Sequence, residues 1–194
     1  MEKILESFIL SNNSKKLLLE IFDEIDYKKN EKIGVLGEIS NDFFVLKKGI
    51  IRSFYSDVNG KYHTRFLLTP TVALASFASL ISDEPSTMVH ECLTDCTVFK
   101  GDFKKFKKLA KKNIELSNLY SLILEDVFIR MEQRDRDLTT LDAKQLYLKL
   151  KSESPEIEKL IPLYHIASYL NVTPVQLSRI RRDLYKKVKT TDNI

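Results

Sequence analysis

The chain is poor in the residues that mark most chemical activities. Its 194 residues include two cysteines, three histidines, five glycines, five prolines and no tryptophan. The sparse glycines form no Gly-x-Gly-x-x-Gly, no Walker loop and no Gly-x-Ser-x-Gly elbow, so the common phosphate-cradling and serine-hydrolase motifs are absent. His63, His90 and His165 are scattered without metal-ligand spacing, and acid pairs such as Asp83-Glu84 fall in loop-like sequence. We therefore expect no enzyme, no cofactor and no metal. An iron–sulfur cluster takes about four cysteines, twice what is here. If residues 91–99 form one strand, Cys92 and Cys96 face the same way. A redox pair, a metal pair short of ligands and two small buried side chains are the readings open to them.

Long hydrophobic runs are also missing. The least polar stretch, 71–81, is too short and too Ser-rich to span a bilayer. Met1-Glu2-Lys3-Ile4-Leu5-Glu6 lacks the apolar core of a secretory signal. These two absences predict a cytoplasmic protein with no membrane partner.

Charge is present and unevenly placed. The formal net charge is +4. From 143 to 194 ten Lys and Arg stand against five Asp and Glu, whereas 1–142 carries 21 against 22. The basic excess thus lies at the C-terminal end, as in a DNA-binding module joined to a nearly neutral sensor, although the run Lys186-Lys187-Val188-Lys189 could be a solvated tail.

That end also carries the strongest pattern. Ile166 and Leu170, four apart, share one helical face, and Ala167 permits a close crossing. Asn171 suits a tight turn at positive φ, and Val172 can plug the gap between two helices. Thr173, Pro174 and Gln176 form an N-cap, a first helical residue and a capping box. Leu177, Ile180 and Leu184 then face inward. Val175, Arg179 and Arg182 face outward, flanked by Gln176 and Ser178. The spacing predicts a helix-turn-helix whose second helix offers Arg and Gln donors to a major groove.

Upstream, 14–25 has helical apolar spacing (Leu17, Leu18, Ile21, Phe22, Ile25). From 26 to 100 short strand-like runs alternate with turn residues, which suggests a sandwich or barrel. Asp57-Val58-Asn59-Gly60 reads as a hairpin with a primed two-residue loop, and 72–81 as a short helix inside the roll. Residues 102–112 read as an amphipathic helix with a Lys-rich wet face, or else an accessory phosphate patch. Residues 113–141 read as one long helix with two apolar stripes. Leu116, Tyr120, Ile123 and Val127 form one, and Leu124, Phe128 and Met131 the other. Its polar end, 132–137, is expected to be solvated. Asp142 is expected to cap a helix over 142–152 with Ala143, Leu146, Tyr147 and Leu150 inward. His165 is expected at the surface.

Ile166-Ala167-Ser168-Tyr169-Leu170, Val172-Thr173-Pro174 and Leu177-Ser178-Arg179-Ile180-Arg181 resemble the Crp–Fnr superfamily of bacterial transcription regulators, in its Bacteroidetes-type branch. Ser154-Pro155-Glu156-Ile157 is similar to that branch too. Lys47-Lys48-Gly49-Ile50-Ile51-Arg52 and Asn59-Gly60-Lys61 resemble the family's cyclic-nucleotide-binding-type jelly roll. The resemblance implies an α+β protein with three parts: a sensor roll over 1–112, a dimerisation helix over 113–141 and a winged-helix or helix-turn-helix domain over 142–194. It implies a homodimer reading a two-fold symmetric operator through Thr173, Val175, Gln176, Ser178, Arg179 and Arg182. Double-stranded DNA is the implied partner, with RNA polymerase and an unidentified small-molecule effector as further candidates. Where cyclic-AMP binders carry Gly-Glu and Arg-Ser pairs, this chain has Ala75-Ser76 and Ser86-Thr87. The ribose carboxylate and the phosphate guanidinium are missing, so control by cyclic AMP is not expected. The alternative reading is a ligand-binding or protein-interaction module that has lost DNA binding.

Overall fold

The computed structural model describes residues 10–191, with side chains as far as 184. The sequence readings at Met1–Glu6 and at the side chains of Lys186, Lys187 and Lys189 lie outside the described residues. The chain runs α1 (Asn12–Leu19), β1 (Phe22–Tyr27), β2 (Lys32–Ile33), β3 (Asp42–Lys48), β4 (Ile51–Ser56), β5 (Tyr62–Leu68) and β6 (Ala73–Leu74). It continues through α2 (Phe77–Ser82), β7 (Met88–Cys92), β8 (Cys96–Asp102), α3 (Phe103–Ala110) and α4 (Ile114–Thr140). The C-terminal helices are α5 (Ala143–Glu153), α6 (Ile157–Leu160), α7 (Leu163–Tyr169) and α8 (Pro174–Thr191).

Among the described residues, eight strands form two antiparallel four-stranded sheets, in the orders β1-β8-β3-β6 and β2-β7-β4-β5. This is the expected jelly roll. Leu46, Ile51, Cys92 and Val98 sit fully buried between the sheets, where loss of contact with water drives the packing. Gly49 holds φ near 100°, and a Cβ there would come within 2.5 Å of Cys96 Sγ, so no other residue fits this turn.

Several local readings give way to tertiary context. The helix expected over 14–25 ends at Leu19, and Phe22–Tyr27 pairs with β8 instead. Residues four apart share a face in a strand as well as in a helix, so Ile21 and Ile25 could not decide between them. The stretch 72–81 splits into β6 and α2. Residues 91–99 are two strands of different sheets with a turn between them, not one strand. In the β4–β5 hairpin only Gly60, and not Asn59, takes positive φ. Asp57 closes the loop by accepting from the backbone of Gly60, Asn59 and Lys61, so this is a longer bulged turn rather than a primed two-residue one.

The long helix α4 has 27 residues, about 40 Å at 1.5 Å each. Asn113 caps it by accepting from Glu115 and Leu116. Leu116 is buried and Tyr120, Ile123 and Val127 are half-buried against the roll, whereas Phe128 and Met131 are open to solvent. The first stripe faces inward as the spacing predicts, but the second divides: Phe128 is open, Leu124 is half-buried, and Met131 edges the cavity beside Val127. The polar end is solvated only in part: Glu132, Asp135 and Arg136 are exposed, but Arg134 and Asp137 are buried at 4% and 8% exposure. They continue the inward line of Ile123, Val127 and Arg130 at helical spacing. In α3, Phe103, Phe106 and Ala110 face inward and most of the lysines are wet, which matches the plain amphipathic reading.

The roll and the C-terminal helices share one core. Ile50 and Leu93, from two turns of the roll, are buried with Leu146, Tyr147, Leu150, Ile157, Ile166 and Leu177. Among the described residues after 142 there is no strand, so no β-wing is present there.

Candidate nucleic-acid interface

α7 and α8 form the two arms of the predicted helix-turn-helix. Ile166, Ala167, Leu170 and Leu177 are at most 2% exposed and lock the arms together, with Val172 and Ile180 packed at the edge. Asn171 takes φ 56°, the left-handed conformation that a tight turn requires and Asn tolerates. The Val172 N–H donates to the Ala167 carbonyl at 3.0 Å, closing the turn. Thr173 Oγ1 accepts from the Gln176 N–H at 3.2 Å, and the Thr173 N–H donates to Gln176 Oε1 at 2.8 Å. This is the reciprocal capping box, with Pro174 opening the helix.

The outward residues are where the spacing puts them. Thr173, Val175, Gln176, Ser178, Arg179 and Arg182 are all exposed along one side of α8. Arg181 points elsewhere: its Nε pairs with Glu158 at 2.7 Å, inside the helical domain. Glu158 also accepts from Tyr147 Oη and pairs with Lys151. Of the neighbouring arginines, Arg179 and Arg182 thus project outward while Arg181 braces α8 against α6.

The surroundings of this face were not legible in the sequence. The β4–β5 hairpin lies beside the start of α8, across a cleft of about 260 Å³ lined by Lys61, His63, Tyr164, Thr173 and Gln176. Ser168 Oγ accepts from the Thr64 N–H at 3.1 Å and donates to the Tyr62 carbonyl at 3.2 Å, fastening α7 to β5. Ser168 stood in the sequence motif with no signal for this partner, more than a hundred residues away.

His165 corrects another expectation. It is 3% exposed at the junction with the roll, because α7 presents that side to β5. Burial, and then the nearby Arg52 charge, push its pKa down to about 4. His90, 3% exposed, is likewise lowered to about 4 by burial. Both titrate near 6.5 when unfolded, so the folded state binds fewer protons. Stability is complete above pH 6.5 and drains as pH falls toward 4, by about 3 kcal/mol for His90 alone. Urea titrations at stepped pH should show the midpoint falling through this window. A midpoint constant from pH 7 to pH 4 would mean that neither imidazole is held neutral.

A second cavity, of about 110 Å³, lies between the roll and α4, lined mainly by apolar groups such as Phe66, Leu74, Ala75 and Val127. At the positions where cyclic-AMP binders place a carboxylate and a guanidinium, Ser76 and Ser86 bond to each other at 2.7 Å. Polar groups nevertheless line the cavity, among them His90 and Arg130. His90 Nε2 is buried without a hydrogen-bond partner, its Nδ1 being held by Ser53 at 2.7 Å. Arg130 enters from α4 with Nε buried and unpartnered. The cation of this cavity comes from the long helix and not from the roll.

The two cysteines are free thiols, both buried. Among the described residues no cluster of His, Cys, Asp and Glu could hold a metal ion, and no helix is long and apolar enough to cross a membrane.

No family model matches the sequence, and none of the curated proteins does. Solved structures are similar to it over nearly its whole length. FixK2 from Bradyrhizobium japonicum superimposes with a TM-score of 0.72 at 17% identity, covering 86% of each chain. A CooA variant from Carboxydothermus hydrogenoformans gives 0.70 at 18% identity over 95% of this chain and 84% of that one. A protein assigned to the Crp/Fnr family of transcriptional regulators from Eubacterium rectale gives 0.69 at 17% identity over 95% and 87%. A β roll, one long helix and a helix-turn-helix, in that order and in that arrangement, give this chain the fold of the Crp/Fnr-type regulators.

Proposed function

We propose that the protein is a DNA-binding transcription regulator that acts as a homodimer on a two-fold symmetric operator. One observation carries the reading. A capped helix exposes Val175, Gln176, Ser178, Arg179 and Arg182 on one side while its other side is locked into a core. Side chains so held can reach base edges without losing much freedom on binding. In this reading Arg179 pairs with a base, Gln176 and Val175 make neighbouring contacts, and Ser178, Arg182 and Thr173 touch the backbone or groove edge. The roll over 1–112 is the sensor, 113–141 the dimerisation helix and 142–194 the reader. RNA polymerase is the partner of such a regulator at a promoter.

Dimerisation is supported by α4. Leu122, Phe128 and Ile129 are 50%, 68% and 60% exposed on the side away from the roll, an apolar surface that a second α4 would cover. Control by cyclic AMP is disfavoured by the paired serines, Ser76 and Ser86, where the sugar and phosphate would need charged groups. The cavity suits a small, largely apolar effector.

Selection from random duplexes should return two-fold symmetric sites with half-sites about 10 bp apart, centre to centre. Arg179→Ala should then cost about 1–3 kcal/mol on the selected site and much less on random DNA. Equal losses on both would reassign Arg179 to phosphate. Duplex binding that is absent, or insensitive to salt, would remove the DNA reading and leave an interaction module.

A further inference from the structure

One side chain touches all three parts of the molecule. Arg134 stands on α4 and is 4% exposed. Its Nε donates to the Arg65 carbonyl of β5 at 3.0 Å, and its Nη2 donates to the Tyr169 carbonyl of α7. Its guanidinium also lies 3.8 Å from the centre of the Tyr169 ring.

The chemistry of this contact is directional. Tyr169 is the last residue of α7, where helical carbonyls lose their intrahelical donors and the dipole favours a cation. Arg134 therefore caps the first reader helix from outside its own domain. The turn into α8 follows at once, through Leu170 and Asn171. The same planar group grips β5 at a fixed angle, which a single ammonium could not do.

Neighbouring acids are engaged elsewhere: Asp135 pairs with Arg65, and Asp137 with Lys149 of α5. Nη1 of Arg134 is buried with no hydrogen-bond partner. Burial pushes the Arg134 pKa down. A buried cation held by carbonyls and a ring is a costly way to gain stability and an effective way to fix geometry.

We propose that Arg134 is a positioning residue, setting the angle at which the roll and long helix hold the DNA-reading helix. The role in DNA recognition rests on the function proposed above; the angle itself does not. Two readers at a fixed angle in a dimer demand one half-site spacing, so a loose joint should relax that demand.

The test compares Arg134→Met and Arg134→Lys with the wild type. Spin labels on Asp23→Cys and Glu156→Cys, both exposed positions, report the roll-to-reader distance by pulsed electron spin resonance, in samples diluted with unlabelled protein. Both variants should keep their helicity, and both should broaden the distance distribution. Preference for the selected operator over one changed by about two base pairs should fall about tenfold, with binding to random DNA unchanged. Lysine should not rescue, because charge alone does not supply two fixed donors. If Arg134→Met fails to fold, Arg134→Lys carries the comparison alone. An unchanged distance distribution in a folded variant, or full rescue by lysine, would overturn the proposal. Absence of DNA binding in the wild type would remove the proposed function, while the distances would still decide the role of Arg134.

Discussion

Replacing Phe128 and Ile129 together with glutamate is expected to turn the protein into a monomer and weaken binding to a symmetric operator by about 10²–10⁴-fold. Both side chains lie on the outer side of α4, 68% and 60% exposed, and contribute nothing to the core of their own chain. The fold should therefore survive the change. Their apolar area leaves water only when a second α4 covers it, so charges there would face like charges across the two-fold axis. The predicted size comes from tethering. Once one reader is bound, the other meets its half-site at a high effective concentration, and monomers lose that gain. Binding to an isolated half-site should be unaffected, which separates lost dimerisation from a damaged reader. Sedimentation gives the mass and titration of full and half sites gives the affinities. A variant that still sediments as a dimer would move the dimer contact off this face.

Glu91→Ala is expected to destabilise folding by about 3–5 kcal/mol. Arg52 on β4 lies opposite Glu91 on β7 in the antiparallel ladder, and its Nε reaches Glu91 Oε2 at 2.6 Å. Arg52 is only 7% exposed and lies 4.3 Å from the Phe54 ring centre. Alanine would leave a buried guanidinium with the ring but without its carboxylate, which costs far more than the pair contributes over an apolar replacement. The double variant Arg52→Met with Glu91→Ala should recover much of the loss. Both charges also act on His165 of α7, so the pair belongs to the seam between the roll and the C-terminal helices. Urea unfolding of the two variants checks the sign. A loss under about 1 kcal/mol for Glu91→Ala would mean that the pair is solvated like a surface bridge.

Much of the helix-turn-helix was legible because its signals are local. The cap at Thr173, the turn at Asn171 and the inward Leu177 each depend on residues within a few positions, and all three stand where spacing placed them. Position 181 shows the limit. Helical spacing leaves Arg181 off the outward side of Arg179 and Arg182, but only the fold shows that it braces α8 through Glu158 of α6. His165, Arg134 and Asp137 are buried against expectation for a related reason. A polar side chain on an amphipathic helix reads as solvated until the surface that covers it is known.

The β roll divides in the same way. Turn residues and short runs gave strands, but the sheet orders β1-β8-β3-β6 and β2-β7-β4-β5 join segments that are distant in the chain. Apolar residues four apart suit either a helix or a strand, and β8, by pairing with Phe22–Tyr27, settles the choice.

The amino-acid order by itself determined the helix-turn-helix and its outward arginine side, because near neighbours and helical repeat set them. Only the folded arrangement decided which cations are buried at the seam, how Arg130 reaches a cavity of the roll and how Arg134 joins three parts. Those outcomes depend on which distant surfaces exclude water from each other, and no local window of sequence holds that information.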